Sequence, residues 1–507
     1  MRRLRASLLA AVALAAVCAP ARAQAPSAAP AAPSRPDAAP DRATEHALTI
    51  GGQEVRFRAA VETLRAGGDA APSEEYVVTS FVRLDQEPGT RPVTFAVNGG
   101  PGASSAWLNL GAIGPWRVDM GGATPSPSAQ PLLQPNQESW LTFSDLVFLD
   151  PAGTGWSRLL ADDEATRRRV YSVDGDIQAI AGIARRWLEA HGRSTSPKMV
   201  VGESYGGFRG PRLANVMRRE QGVAVGGLIL VSPVLDFAGR FTRHEVMRFV
   251  TALPSMAAAA RGATGRTDLR DAEDYAAGDY LRDLMRGPGD RAAVERASAA
   301  VSGLLGLDPA LVRRRAGRVD VSTFLREREP GRVASAYDAT VAGSDPFPEA
   351  QSSRWDDPVL DALRPVFTSA AIDLYGRVLG WRPTGGAERR YELLNLSVNR
   401  QWRYEGPQPP ESLDALRVAL ALDPRLRVLV AHGVADLVTP YFASKLLLDQ
   451  VPPTEPPGRV ELRVYRGGHM FYSQDAGRAA LAVEAERLGR DASAGYVAGP
   501  QAAAQRP

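Results

Sequence analysis

The sequence predicts an α/β protein with a mostly parallel central sheet, helices on both faces of that sheet and an inserted helical cap. Three observations predict this fold class. Short apolar runs alternate with segments of helical periodicity, and several of these runs end in Gly, Ser, Asp or His. One long stretch then interrupts the alternation. Strand–helix alternation is typical of a parallel sheet that helices cover on both faces.

The predicted strands begin with an antiparallel pair, 49–57 and 76–84, of which the first contains Gly51-Gly52. Six further apolar runs predict core strands, and three amphipathic segments between them predict helices. The strands are 93–97, 146–149, 199–201, 228–231, 428–430 and 462–464, and the helices are 177–190, 212–220 and 443–451.

The strand pattern fades in residues 241–390, which are rich in Ala, Arg and Asp and predict the helical cap. The core is therefore expected in two parts, 45–240 and 391–490. Residues 24–44 consist largely of Ala, Pro and Ser, and 491–507 are similar, so both are predicted to be disordered.

Residues 1–23 have the features of a secretory signal peptide. Arginines precede an apolar run at 8–17, and small residues at 21 and 23 form a cleavage site after Ala23. An uncleaved anchor helix or a lipid on Cys18 are the alternatives, but the apolar run is short for a membrane span. We expect a periplasmic or secreted protein whose mature chain contains no cysteine, because Cys18 is the only one.

Composition excludes some classes of function. The 507 residues include 60 Lys and Arg against 57 Asp and Glu, a net charge of +3. So small an excess, without a basic stripe, argues against binding to nucleic acid or to an anionic membrane surface. No stretch after the signal peptide is apolar and long enough to predict a membrane span.

The strongest chemical signal is the sequence Gly-Glu-Ser-Tyr-Gly at 202–206. It follows an apolar strand and precedes a predicted helix, which is the setting of a nucleophile at a sharp strand-to-helix turn. Glycines two residues before and after Ser204 leave room for that turn. An ordinary tight turn is the alternative. Ser204 is the candidate nucleophile, and it needs a base to remove its proton.

Five histidines are candidates for this base: His46, His191, His244, His432 and His469. His469 follows the last predicted core strand and two glycines, which is the place of the base when the chain order is Ser, Asp, His. His432 is the main competitor, but its position at a strand end is typical of a packed, neutral histidine. His46 and His191 are expected to be exposed bystanders, and His244 lies where the cap begins.

Asp436 is the candidate acid that orients the base. It lies in a turn off the end of the 428–430 strand, between Ser204 and His469 in the chain. Asp423 lies before that strand, and Asp449 would lie on the next helix. A simple helix N-cap is the alternative role for Asp436.

The loop at 98–102, Asn-Gly-Gly-Pro-Gly, directly follows the 93–97 strand. Three glycines and a proline favour a tight loop whose backbone N–H groups can point into a cavity, as an oxyanion hole requires.

Together, four segments resemble the signatures of the serine carboxypeptidases, which have the α/β-hydrolase fold. They are NGGPGASS at 98–105, FLDPAGTGWS at 148–157, GESYGG at 202–207 and GHM at 468–470. The resemblance covers roughly 47–240 and 390–488. It implies that the backbone N–H groups of Gly100 and Tyr205 form the oxyanion hole.

The same resemblance implies a substrate-binding group made of Asn98, Gly99, Glu203 and Met470, in which Asn98 and Glu203 hold the terminal carboxylate of the substrate. In the family a second glutamate often assists, in a Glu-x-Gly-Pro segment. This chain has Ala112 in that segment, which leaves the strictness of carboxypeptidase specificity open.

Two smaller departures from the family signatures are Ala103, which replaces a cysteine, and Gly206, which replaces an alanine. We predict a serine-type carboxypeptidase that acts on the C-termini of peptides or proteins through an acyl-enzyme, without metal or cofactor. An esterase or acyltransferase with the same triad, and a catalytically silent binding protein, are the alternatives.

Overall fold

The computed structural model describes residues 40–67, 72–121, 125–238, 245–350, 356–385, 389–404, 406, 408–494 and 496. The predicted signal peptide, nearly all of the predicted leader, His244 and most of the predicted disordered tail lie outside these residues. In the described part of the chain, no helix is long and apolar enough to cross a membrane.

Fourteen strands occur in the described part of the chain. In chain order they are β1 Arg42–Ile50, β2 Gln53–Ala66, β3 Glu74–Arg83, β4 Val93–Val97, β5 Trp116–Arg117, β6 Gln134–Pro135, β7 Asp145–Leu149, β8 Arg158–Leu159, β9 Lys198–Glu203, β10 Gly227–Val231, β11 Arg332–Ala334, β12 Ala342–Ser344, β13 Arg427–Gly433 and β14 Val460–Tyr465.

The α-helices of the described residues are α1 Ala106–Leu108, α2 Glu164–Val170, α3 Val173–Ala190, α4 Tyr205–Glu220, α5 Met247–Arg261, α6 Arg270–Tyr275, α7 Leu281–Arg286, α8 Arg291–Leu305, α9 Pro309–Arg314, α10 Val321–Glu327, α11 Leu360–Asp373, α12 Leu396–Gln401, α13 Leu413–Leu422, α14 Tyr441–Leu448 and α15 Asp475–Ser493. Short 3₁₀ or π turns lie at Asn109–Ile113, Trp140–Thr142, Arg266–Leu269, Ala276–Tyr280, Leu374–Val378 and Phe471–Ser473.

One large sheet organises the core. Its strand order is β1-β2-β3-β7-β4-β9-β10-β13-β14, and β8 pairs with β3 outside this order. The pairs from β1 to β7 are antiparallel, and every pair from β7 to β14 is parallel. The predicted mostly parallel sheet is thus confirmed, and this order, with the exchange of β4 and β7, is that of the α/β-hydrolase fold.

The central strands are buried on both faces, as their apolar sequences predict. Alternate side chains of β9 belong to different core clusters: Met199 and Val201 to one, Val200 to the other. Helices α3 and α4 supply the second cluster, and α11 and α15 supply the first. Successive side chains of a strand point to opposite faces of the sheet, so they pack alternately against the helices on one face and on the other.

The predicted single strand at 49–57 is wrong, because these residues span the end of β1, a turn and the start of β2. Gly51 and Gly52, with φ of 57° and 77°, form a two-residue turn between β1 and β2. β1 begins at Arg42, inside the segment that we predicted to be disordered up to residue 44. Its side chains alternate between exposed and half-buried, so its low apolar content concealed it.

The inserted segment divides into two parts. Helices α5 to α10 surround a third core cluster that also includes Val434 and Leu437, next to the β13 end of the sheet. Helix α11 instead packs on the first cluster, where the Phe367 ring stacks on Trp107 at 4.6 Å. The predicted cap therefore contributes to the sheet's own core as well as to a separate helical layer.

Candidate active site

Ser204 lies at the turn between β9 and α4. Its φ and ψ of 59° and −118° are unusual for a residue with a side chain, and such a conformation costs about 1–3 kcal/mol. A Cβ atom on Gly202 would overlap the Gly206 carbonyl oxygen, and one on Gly206 would overlap the Val97 carbonyl oxygen. Both glycines are therefore required by the close approach of backbones around the serine.

His469 lies on the loop after β14. Its Nδ1 is 2.8 Å from Asp436 Oδ2, and the residue is buried. The backbone carbonyl of His469 accepts a hydrogen bond from Ser232 Oγ at 2.7 Å. Because Nδ1 faces the carboxylate, Nε2 is the nitrogen that can accept a proton from a nucleophile.

Asp436 is fully buried, and both oxygens of its carboxylate have hydrogen-bond partners. Oδ1 accepts the backbone N–H groups of Val438 at 2.8 Å and Thr439 at 2.9 Å. Oδ2 faces His469, and the Thr439 hydroxyl lies 2.7 Å from it. These contacts fix the plane of the carboxylate and direct one oxygen at the imidazole.

Ser204, His469 and residues 98–100 of the glycine loop line one cavity of about 370 Å³. Ser204 is partly exposed there, and its Oγ has no hydrogen bond among the described residues. A nucleophile–base hydrogen bond often forms only when substrate is bound. The structure thus brings the three predicted triad residues to one site, while their catalytic roles stay predictions.

The 98–102 loop lies directly against the nucleophile turn. A Cβ atom on Gly99 would lie 2.5 Å from the Tyr205 backbone nitrogen, so only glycine permits this approach. The Gly100 and Tyr205 N–H groups have no hydrogen-bond acceptor among the described residues. Both residues line the cavity, and the positive end of the α4 dipole adds to the field at Tyr205. This geometry fits an oxyanion hole.

Glu203 precedes the nucleophile and forms part of the cavity wall. Its Oε2 accepts a hydrogen bond from Asn98 Nδ2, and its Oε1 accepts one from the Tyr472 hydroxyl at 2.7 Å. Burial raises the pKa of the Glu203 carboxyl, and His469, Tyr472 and Asn98 partly offset that effect.

Tyr472 is a site residue that the sequence analysis missed. It is fully buried, and its ring lies against the Asn109–Ile113 turn, where a Cβ atom on Gly111 would be 3.1 Å from it. Ala112 belongs to this turn and does not line the cavity. As the sequence indicates, this turn supplies no carboxyl partner for Glu203, and the Tyr472 hydroxyl donates to Glu203 instead.

The remaining cavity wall is largely apolar and aromatic. Within the described residues that line it there is neither Lys nor Arg, and Glu203 is the only acid. Met470 is part of this wall, as the resemblance implies. The other lining residues are Ala103, Trp107, Val234, Phe237, Tyr337, Leu360, Leu394, Asn399, Tyr404 and Val438.

The other described histidines lie outside the cavity. His432 is fully buried, its Nε2 is 2.9 Å from Ser444 Oγ, and burial lowers its pKa to about 4, so it is neutral, as predicted. His46 and His191 were predicted to be exposed, but both are partly buried. His46 packs between Phe57 and Trp116, and His191 stacks on Trp187.

No cluster of three or more His, Cys, Asp or Glu side chains in the described part of the chain could hold a metal ion.

The match to a family model lies in the first half of the chain. Residues 77–244 match the family model of the serine carboxypeptidases. Serine carboxypeptidase-like 44 of Arabidopsis thaliana is 33% identical over 139 residues, which cover 27% of each protein. Serine carboxypeptidase 1 of Hordeum vulgare is 30% identical over 179 residues, or 34% of this chain and 31% of the relative. The chain thus spans about a third of these relatives or less.

Two solved structures are similar at low identity. The proline iminopeptidase of Mycobacterium smegmatis has a TM-score of 0.37 and 14% identity over 85% of this chain and 98% of that chain. A putative aryl esterase of Burkholderia cenocepacia has a TM-score of 0.36 and 15% identity over 85% and 96%.

The strand order and the strand–Ser204–helix turn define the α/β-hydrolase fold. Among proteins of this fold, the matches are to the serine carboxypeptidases, over residues 77–244 for the family model.

Proposed function

We propose that the chain is a serine-type carboxypeptidase that hydrolyses C-terminal peptide bonds through an acyl-enzyme on Ser204. The observation that carries the proposal is the His469–Asp436 contact at 2.8 Å. His469 lines the same cavity as Ser204 and residues 98–100, and Asp436 is buried beside it. Similarity to the serine carboxypeptidases over residues 77–244 supports the peptidase part of the proposal.

In the proposed reaction Ser204 Oγ attacks the carbonyl carbon of the last peptide bond, and His469 Nε2 takes the hydroxyl proton. The Gly100 and Tyr205 N–H groups stabilise the oxyanion of the tetrahedral intermediate. The protonated imidazole, held by Asp436, then gives its proton to the leaving amine as the C–N bond breaks.

Deacylation repeats these steps with water. His469 takes a proton from a water molecule, the hydroxide adds to the acyl carbon, and the Ser204 oxygen leaves with the proton returned by the imidazole. Preorganised N–H donors matter most in such a reaction. Removal of one donor of this kind typically costs about 10²–10³ in kcat.

Substrate selection is proposed to depend on Asn98 and Glu203. A carboxylate of the substrate can share a hydrogen bond with Glu203 only when one of the two acids carries a proton. The raised pKa of Glu203 supports this arrangement. Tyr472 weakens it, because its hydroxyl already donates to Glu203 Oε1. We therefore expect a preference for free-acid peptides, with tolerance of amidated or extended ones.

An esterase or acyltransferase with the same triad is the second candidate. The absence of Lys and Arg from the described cavity lining favours it, since no cation there would attract a free carboxylate. A binding protein that has lost catalysis is the third candidate, and the complete Ser–His–Asp set argues against it.

Mass spectrometry of the products separates these candidates. Matched peptides with a free or an amidated C-terminus are incubated with wild type and with Ser204→Ala as the inactive control. Loss of single C-terminal residues from the free acid, faster than from the amide, is the expected result. Equal cleavage of acid and amide would contradict carboxypeptidase specificity and favour an endopeptidase. No peptide cleavage together with ester hydrolysis would refute the peptidase proposal.

We also propose export to the periplasm or the extracellular medium, with cleavage after Ala23. The evidence is the composition of residues 1–23 alone. N-terminal sequencing of protein from the medium or periplasm should start at Gln24. An intact Met1, or a lipid on Cys18, would contradict this proposal.

A further inference from the structure

A turn of the inserted segment, Ser335–Ala339, contacts both loops that carry the proposed base and acid. The turn follows β11 and is braced internally. Ser335 Oγ accepts the backbone N–H groups of Tyr337 at 2.9 Å and Asp338 at 3.1 Å, and it donates to Asp357 Oδ1 at 2.6 Å. The turn is thus tied to the chain segment just before α11.

The Asp436 loop is held by this turn on both sides of the aspartate. Ala339 N–H donates to the Ala435 carbonyl at 3.1 Å, and Leu437 N–H donates to the Ala336 carbonyl at 3.0 Å. Both hydrogen bonds join residues adjacent to Asp436 to a segment about 100 residues earlier in the chain. The position of the acid is therefore coupled to the inserted segment.

The His469 loop meets the same turn. His469 N–H donates to the Tyr337 carbonyl at 2.5 Å, and the Tyr337 ring packs edge to face on the imidazole, with ring centroids 5.3 Å apart at 87°. A Cβ atom on Gly468 would overlap the Tyr337 carbonyl oxygen. Residue 468 must therefore be glycine, because the Ser335–Ala339 turn packs directly against its Cα.

We propose that Tyr337 is a positioning residue, and that the Ser335–Ala339 turn fixes the imidazole of His469 relative to Asp436 and Ser204. This inference rests on the proposed function. Its physical basis is that Asp436 holds the imidazole at Nδ1 only, and the edge-to-face contact with the Tyr337 ring adds a second restraint on the imidazole plane. Tyr337 is half-buried and lines the same cavity as Ser204 and His469.

The side-chain test compares Tyr337→Ala with Tyr337→Phe. Loss of the ring should slow labelling of Ser204 by a small fluorophosphonate by about 10- to 100-fold, since misplacement by about 1 Å can cost about 10²-fold. Tyr337→Phe keeps the ring and should label at the wild-type rate. Tyr275→Ala, another partly buried tyrosine of the inserted segment, is the matched control and should also label normally.

The backbone test uses Gly468→Ala, which forces the His469 loop and the turn apart. Gly303→Ala in α8 is its control, because nothing lies within 4 Å of a Cβ atom there. Circular dichroism and thermal melting establish that each variant is folded. We expect slow labelling for Gly468→Ala and wild-type labelling for Gly303→Ala.

A second readout does not depend on catalysis. The His469 Nδ1 proton, held by Asp436, should give a proton NMR signal downfield of the amide region, and Tyr337→Ala should broaden or shift it while Tyr337→Phe leaves it in place. Wild-type labelling and an unchanged signal in Tyr337→Ala would overturn the inference. If wild-type Ser204 is not labelled at all, the proposed function fails. The NMR comparison then still decides whether Tyr337 positions the imidazole.

Discussion

Replacement of Asp436 by asparagine tests the proposed acid without a change of shape. In the wild type, two backbone N–H groups, from Val438 and Thr439, point at Oδ1, and His469 Nδ1 lies 2.8 Å from Oδ2. The asparagine oxygen will take the place of Oδ1, since only an oxygen can accept these two donors. The amide NH₂ must then face His469.

An amide NH₂ donates a hydrogen bond to Nδ1 instead of accepting one, so the imidazole carries its proton on Nε2. That tautomer cannot accept the proton of Ser204, and the negative charge that stabilises the imidazolium is also lost. A change of this kind in a Ser–His–Asp triad lowers kcat by about 10⁴-fold, equivalent to about 5 kcal/mol of transition-state stabilisation.

The assay measures kcat/KM of Asp436→Asn on a free-acid peptide, with thermal melting to establish that the protein is folded. Asp449→Asn is the control, because this half-exposed carboxylate at the end of α14 pairs only with Lys445 among the described residues and should be dispensable for activity. A folded Asp436→Asn that loses less than about tenfold in kcat/KM would refute the reasoning.

Three other predictions concern the carboxylate site and the nucleophile turn. Because free-acid peptides need protonated Glu203, kcat/KM for them should fall as pH rises through its raised pKa. Glu203→Gln should remove this alkaline limb from the pH profile, and an unchanged limb would assign Glu203 a purely structural role. Tyr472→Phe removes a donor that stabilises ionised Glu203, so its pKa should rise and the limb should move to higher pH; a shift to lower pH would contradict the assigned hydrogen bond. Gly202→Ala should unfold the nucleophile turn or lower the melting temperature, whereas Gly182→Ala in α3, where nothing surrounds the Cβ position, should not.

The core strands and the loops that follow them could be predicted from the sequence, because each produces a local pattern of apolar and polar residues. The predicted strands at 93–97 and 228–231 lie within β4 and β10, and the loops that carry Ser204, Asp436 and His469 follow β9, β13 and β14. Apolar runs that end in small or polar residues are strong signals because parallel strands are buried on both faces and end at one edge of the sheet.

Residues that meet only through tertiary packing were not predictable in this way. Tyr472 contacts Glu203 across 269 positions of sequence, and nothing near Tyr472 distinguishes it from an ordinary core tyrosine. The Ser335–Ala339 turn lies in a segment whose sequence indicates helices only. Strand β1 was partly missed for another reason, since an edge strand with one exposed face needs few apolar residues.

The central claim is that Ser204 is an activated nucleophile. The most direct test is intact-protein mass spectrometry after reaction with a fluorophosphonate, followed by peptide mapping. The account predicts one adduct per chain, located on Ser204, and none in Ser204→Ala. An adduct that persists in Ser204→Ala, or wild-type protein that stays unmodified while it cleaves peptides, would contradict it.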